Sequence, residues 1–281
     1  MVDPRFRFVF LADTQLGCYA TFSGFDQDRI DAYADMGMTV RQVPAVEGFE
    51  WDAARYRRAV EMINAIRPAF VLIGGDLVDD PNSDDQTEEF LSITAGVDPE
   101  ISVRLVAGNH DIAPDAVIPT PELIARYRDR FGPDFYSFTH DRTLFVVMNT
   151  TVIDHPELVD DEWVRQREFL EGEMAAAHGR SVDHVVLVGH HPLFMQAPDE
   201  PDTYWNLPIE RRSHILELGR LAGVRIGFAG HWHRNHTVSG DGFTQVISGP
   251  VGYPLGEDPS GIRTVDVGSD GLVHQYLPLD M

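Results

Sequence analysis

Short apolar runs separated by amphipathic stretches set the rhythm of the chain. Phe6–Ala12, Ala69–Ile73, Val103–Ala107, His184–Val188 and Val224–Ala229 are nearly continuous apolar segments that stop at a polar or glycine-rich turn, the pattern of buried strands. Between them, Tyr56, Ala59, Val60, Ile63 and Ile66 recur at helical spacing and predict a helix over Trp51–Ile66, closed by Pro68. Asp161–Ala177 and Ile209–Ala222 predict two more, the latter ended by Gly223. Phe135–Thr139 with Thr143–Asn149, Asn235–Ser239 with Phe243–Ser248, and Ile262–Val267 with Leu272–Leu277 read as antiparallel hairpins. Strands alternating with helices imply parallel βαβ units, so the pattern alone suggests a doubly wound α/β sheet with antiparallel additions. No repeat or linker divides residues 1–281, which are read as a single domain. Cys18–Glu50 breaks the rhythm as a long connection rich in Gly, Asp and aromatic residues, either a lid or binding loop or a plain surface excursion.

Charge narrows the classes of partner. The 281 residues carry 22 Lys+Arg and 45 Asp+Glu, hence 22 − 45 = −23. Such a surface repels nucleic-acid backbones and anionic lipid, so neither nucleic acid nor membrane is expected as a partner. An anionic substrate remains compatible if cations or local arginines reverse the field inside a cleft. A single cysteine, Cys18, excludes an intrachain disulfide and a multi-cysteine zinc site. From Met1-Val2-Asp3 the chain runs straight into a strand-like segment without the marks of a signal peptide, and no apolar run approaches the ~18 residues of a membrane span. A cytoplasmic location is expected.

The candidate chemistry lies at the strand ends. Asp13-Thr14-Gln15 follows the first, Gly74-Gly75-Asp76-Leu77-Val78-Asp79 the second and Gly108-Asn109-His110-Asp111 the third. Gly189-His190-His191-Pro192 and Gly230-His231-Trp232-His233 follow later strands. Loops at the carboxyl ends of strands converge on one crevice in an open α/β sheet. Carboxylates, carboxamides and imidazoles without thiolate suit divalent Mn, Fe or Zn. A carboxylate can bridge two cations ~3.5–4 Å apart, and the pair activates a bound water as nucleophile, a metal-bound hydroxide, while an imidazole outside the metal shell assists the leaving oxygen. Each fragment alone is modest evidence, since an Asp after a strand is commonly a turn former or cap. The conjunction of all five in order is specific.

This set resembles the calcineurin-like metallophosphoesterase superfamily, whose pattern is Asp-x-His, Gly-Asp, Gly-Asn-His-Asp/Glu, a Gly-His segment and Gly-His-x-His. The resemblance runs from Asp13 to His233 and replaces the doubly wound picture: it implies an α/β four-layer αββα sandwich of two mixed β-sheets flanked by helices. It further implies two divalent metal ions, the first held by Asp13, Gln15 and His233, the second by Asn109, His190 and His231, with Asp76 bridging. His110 would be the catalytic imidazole, positioned by Asp111.

Two departures from the pattern matter. Gln15 stands where the family usually has His; a carboxamide oxygen is the weaker ligand, and Ala12-Asp13-Thr14-Gln15-Leu16-Gly17 is similar to the first motif of a subgroup described as Ser/Thr protein phosphatases. Asp80 occupies the place of the arginine in Gly-Asp-x-x-Asp-Arg-Gly, and an acid there repels the dianion that an arginine fork would grip. The reading is therefore a metal-dependent phosphoester hydrolase acting on a small molecule or a phosphoprotein, with phosphomonoesters expected, a phosphodiesterase as the alternative, and a metal-binding module without turnover as the different-class rival. Among the remaining residues, His191 is expected as a hydrogen-bond partner behind the ligands and Trp232 as packing. His140, His155, His178, His184, His214, His236 and His274 are expected to be structural or superficial. Asp79-Asp80 with Asp84-Asp85 reads as a solvated run and helix cap, and Arg41 and Arg234 as candidates to orient phosphate.

Overall fold

The computed structural model describes residues 4–177 and 179–279; Met1-Val2-Asp3 of the N-terminal reading and His178 lie outside the described residues. Eleven strands are present among them: β1 Phe6–Leu11, β2 Phe70–Ile73, β3 Ser102–Leu105, β4 Tyr136–His140, β5 Thr143–Val147, β6 His184–Val188, β7 Ile226–Ala229, β8 His236–Gly240, β9 Phe243–Ile247, β10 Gly261–Val267 and β11 Leu272–Pro278. They form one five-stranded sheet ordered β11-β10-β1-β2-β3 and one six-stranded sheet ordered β4-β5-β6-β7-β9-β8. Both sheets are mixed. In the first, β1-β2-β3 are parallel and β10 runs antiparallel to β1. In the second, β5-β6-β7-β9 are parallel and the edge strands β4 and β8 antiparallel.

Two-residue periodicity explains the layering. Successive strand side chains point to opposite faces, so Phe8 and Phe10 of β1 face the second sheet, where they meet Phe145, Val186, Val188 and Phe228. Val9 and Leu11 face outward and pack under helix Glu50–Ile66, with helices Asp84–Thr94 and Pro121–Phe131 beside it. The second sheet repeats the device: Leu144, Val146, Val185 and Leu187 turn away from the interface onto helices Asp160–Ala177 and Ile209–Ala222. The result is the four-layer αββα sandwich expected from the resemblance. Between the sheets, Phe8 meets Phe145 and Phe228 edge-on at 5.4 and 5.7 Å and stacks on Phe70 at 5.2 Å, an arrangement aromatic quadrupoles favour.

Residues 18–50 are organised around their own small core. Helices Cys18–Thr21 and Gln27–Asp35 bring Tyr19, Phe22, Phe25, Tyr33 and Met38 against Tyr253 and Leu255. The segment is anchored by Asp52, in the first turn of helix Glu50–Ile66, whose Oδ2 accepts the backbone N–H groups of Gly17 at 3.1 Å and Tyr19 at 3.2 Å. Its Oδ1 is buried without a partner. Burial raises the Asp52 carboxyl to about 7 against the pull of those two amides, and nearby Asp79 adds to the rise. An acid whose pKa is higher folded than unfolded contributes stability below its unfolded value and loses it as pH rises through the folded one. The chelated protein should therefore lose thermal stability between about pH 4 and 7, and Asp52→Asn, which keeps the two acceptor contacts, should flatten that fall and raise Tm at alkaline pH. An unchanged Tm–pH profile in the variant would contradict the assignment.

Candidate metal centre

Parallel strands end side by side, so the loops after β1, β2, β3, β6 and β7 share one rim of the sandwich. Backbone bonds lace them together: Asp13 N–H donates to Gly75 O at 3.0 Å, Gln15 N–H to Asp76 O at 2.8 Å, and Gly252 N–H to Asp13 O at 2.9 Å. Five side chains at this rim sit on left-handed backbone, with φ 54° at Asp13, 33° at Gln15, 52° at Asp76, 68° at His231 and 51° at His233. Each such residue costs about 1–2 kcal/mol. Strain of this kind concentrates where surrounding structure fixes a functional side chain.

All seven residues expected as ligands are buried, and five of them fall into two groups of facing donor atoms. One group joins Asp76, His190 and His231, another Asp13, Asp76 and His233, each with ligand atoms within 4.8 Å of one another. Asp76 belongs to both. Its Oδ2 lies 3.0 Å from His190 Nε2, too poorly aligned for a hydrogen bond, while Oδ1 accepts the backbone N–H of His110 at 2.9 Å. Asp13 Oδ1 lies 3.4 Å from His233 Nε2 and accepts the His231 N–H at 3.0 Å. The imidazoles are oriented from behind. His190 and His233 direct Nδ1 at the carbonyls of Gly74 and Tyr253, at 2.8 and 2.6 Å, and His231 directs Nε2 at the carbonyl of Tyr204 at 2.9 Å. Such contacts leave the other ring nitrogen facing the centre, the arrangement typical of metal-ligating histidines.

The donor set fits a pair of divalent cations by its unanswered atoms. Asp13 Oδ2, Gln15 Oε1, Asn109 Oδ1 and His190 Nε2 are buried without a hydrogen-bond partner, a costly condition unless something else satisfies them. In both carboxamides the amino group is engaged elsewhere, Gln15 Nε2 with Asp79 Oδ1 at 2.9 Å and Asn109 Nδ2 with Ala116 O at 2.8 Å. The two carboxamide oxygens are thereby left without a protein partner. Without cations the centre balances its own charge. Burial would lower His190, but Asp76 outweighs it and holds the imidazole protonated up to about 9; burial alone would raise Asp76, and His190 with His110 hold it well below the carboxylate range. Burial and the neighbouring His190 push His231 down to about 3, and burial raises Asp13 against His233 and His190. Cation binding replaces such protons, so affinity falls in acid.

The sheets divide the candidate ligands by chemistry. The five-stranded sheet contributes only oxygen donors, Asp13, Gln15, Asp76 and Asn109, and the six-stranded sheet only imidazoles, His190, His231 and His233.

His110 lines the cleft above the ligands, whereas Asp111 does not hold its ring. The Asp111 carboxylate is buried and accepts backbone N–H groups of Leu77 at 2.9 Å and Gly108 at 2.8 Å, fixing two ligand loops to each other. Burial, then Asp76, pushes it up to about 7. The ring is held by Asp79: His110 Nδ1 meets Asp79 O at 2.9 Å and lies 3.5 Å from Asp79 Oδ1. Asp79 is thus the residue that sequence reasoning missed, because it heads an acidic run. The signal available was its place three residues after Asp76. Asp79→Ala should release the Gln15 carboxamide and weaken binding of one cation by roughly 10-fold or more. Calorimetric titration of Mn(II) into chelated protein checks this; two unaltered binding steps would count against it.

Other expectations resolve individually. His191 is buried and pairs with Thr150 Oγ1 at 2.9 Å, behind the ligands as expected. Asp84 and Asp85 occupy the first turn of helix Asp84–Thr94, capped by Ser83, and Asp80 is exposed. Arg41 and Arg234, expected as candidates to orient phosphate, do not line the cleft over the cluster. Arg41 donates to the carbonyls of Pro254 and Gly256, and Arg234 to those of Leu255 and Gly37.

Residues 6–235 match the family model described as calcineurin-like phosphoesterase. The chain is 34% identical over 245 residues to the serine/threonine-protein phosphatase CPPED1 of Danio rerio, covering 83% of this chain and 77% of that one. It is 31% identical over 284 residues to the protein of the same name from Homo sapiens, covering 98% and 84%. Among solved structures, a dimetal phosphatase from Danio rerio shares the fold with a TM-score of 0.64 at 16% identity, covering 98% of this chain and 96% of that one.

Proposed function

Because the chain belongs to the calcineurin-like phosphoesterase family and is a metal-dependent phosphoester hydrolase, we propose that its substrates are phosphomonoesters, including phosphoserine or phosphothreonine in proteins, and that all seven converging residues hold its two cations. The observation that carries this reading is the pair of donor groups sharing Asp76, with buried unpartnered donor atoms among the same residues and His110 lining the cleft beside them. When bound, divalent cations supply positive charge to the phosphoryl oxygens and acidify a water.

The chain's own residues perform the rest. Asp76, between the two groups, sets their spacing. Gln15 and Asn109 contribute neutral oxygens and so leave more of the cationic charge for the substrate. His110 keeps Nδ1 on the Asp79 carbonyl, which leaves Nε2 toward the cleft to hold a proton for the departing alkoxide. Burial opposes the charged ring, but Asp76 and Asp79 outweigh it and raise its pKa, favouring the proton donor.

One observation favours a second reading, a phosphodiesterase: no Lys or Arg lines the cleft among the described residues, and a diester carries one charge less. Initial rates on 4-nitrophenyl phosphate and bis(4-nitrophenyl) phosphate, after chelation and Mn(II) reloading, separate the two. We expect a monoester preference that His110→Ala abolishes. A diester preference sensitive to the same substitution would establish the second reading, and inactivity on both would sink the mechanism.

A further inference from the structure

The cleft over the metal centre has a floor and walls of opposite character. Gln15, Asp76, His110, His231 and His233 form the floor of a space of about 140 Å³; Phe22, Met38, Tyr204, Trp205 and Leu255 form the walls. Phe22 and Met38 come from residues 18–50, the excursion between β1 and helix Glu50–Ile66. Phe22 is held firmly, stacked on Tyr253 at 5.7 Å and edge-on to Tyr33 at 5.4 Å. Opposite, the Tyr204 and Trp205 rings meet at 4.9 Å and both lean on His231, at 4.9 and 5.5 Å. The walls contain no charged side chain. The two nearby guanidiniums, Arg41 and Arg234, are turned onto backbone carbonyls.

We propose that this cleft selects phosphoesters whose alcohol carries an uncharged apolar or aromatic group beside the phosphate, and that Phe22 and Met38 are the residues that read it. Recognition of the phosphate rests on the function proposed above; selection of its neighbour rests on the walls. An apolar group entering between Phe22, Met38 and Trp205 leaves water for an uncharged, largely apolar surface. A charged group seated between the walls loses hydration and meets no counter-charge from Phe22, Met38, Tyr204, Trp205 or Leu255, a penalty that discriminates alongside the attractive contacts. For a phosphoprotein, the matching feature is an apolar side chain adjacent to the phosphorylated residue.

The test uses non-hydrolysable phosphonates on the Mn(II)-loaded protein, so that it reads the cleft whether or not a given ester turns over. Calorimetry compares 2-phenylethylphosphonate with 2-carboxyethylphosphonate, which share the phosphonate and linker. We expect the phenyl compound to bind roughly 10- to 100-fold more tightly. Phe22→Ala and Met38→Ala should each erode that ratio, and Met38→Arg, which keeps a long side chain at the wall, should narrow it from the other side by improving the carboxylate compound. Equal affinities in the wild-type protein, or a ratio untouched by all three variants, would overturn the proposal. Failure of the monoester rate assay alongside a preserved phenyl preference would instead remove the monoester reading and leave the selectivity standing.

Discussion

Asp76→Asn is expected to leave a folded protein with a kcat at least about 10³-fold lower and fewer than two bound cations. The size of the effect follows from position. Asp76 is the one residue common to both ligand groups, and its two oxygens have separate duties, Oδ2 beside His190 Nε2 and Oδ1 on the His110 backbone N–H. An amide keeps the shape but removes the charge, so two neighbouring cations lose the anion that offsets their mutual repulsion. Elemental analysis after gel filtration reads the metal content and far-ultraviolet circular dichroism the fold. Full metal occupancy with wild-type kcat would mean that the carboxylate does not bridge, and loss of the dichroism signal would assign Asp76 a mainly structural role.

Gly108→Ala should be nearly as damaging through volume alone. A Cβ at this position would run into the backbone N and the Oδ1 of Asp76, neither of which can yield without moving the carboxylate common to both groups. Overpacking a rigid site costs about 1–3 kcal/mol; here the displaced carboxylate is the one proposed to serve both cations, so metal affinity should fall with stability. Chelated and Mn(II)-loaded melting temperatures of both proteins check this. The expected signature is a lowered Tm in each state and a smaller metal-induced rise. An unchanged rise would show that the β2 and β3 loops are looser than their contact implies.

Much of this centre was legible before any coordinates because it is written in short contiguous motifs at the ends of apolar runs. β6 falls on His184–Val188 and helix Ile209–Ala222 on its expected bounds, since continuous burial and a closing Gly223 leave little freedom. Helices Asp84–Thr94 and Pro121–Phe131 escaped periodicity because few of their residues are buried; the Ser83 cap and the Thr120-Pro121 start were the available signals. Residues 18–50 looked irregular because helix Gln27–Asp35 buries none of its side chains and the segment packs on Tyr253 and Leu255, distant in sequence. The same gap in sequence hid Asp79: its link to Gln15 spans 64 positions, and no local pattern encodes it. Arg41 and Arg234 misled for the converse reason, because a guanidinium near a phosphate site in sequence says nothing about the carbonyls that capture it in space.

The division of ligands between the sheets has a consequence for how this chain tolerates mutation. In the proposed centre, oxygen donors on one sheet and imidazoles on the other would make each cation a rivet through the sandwich, reporting on the spacing that Phe8, Phe145 and Phe228 maintain between the layers. A core substitution such as Phe228→Leu, remote from any reacting atom, would surface first as a demand for more metal. Cells supplied with abundant cation would mask it, because binding stabilises by RT ln(1 + [L]/Kd), and scarcity would expose it. The range of sequences that can carry this fold is thereby set partly by the mineral environment in which it is expressed.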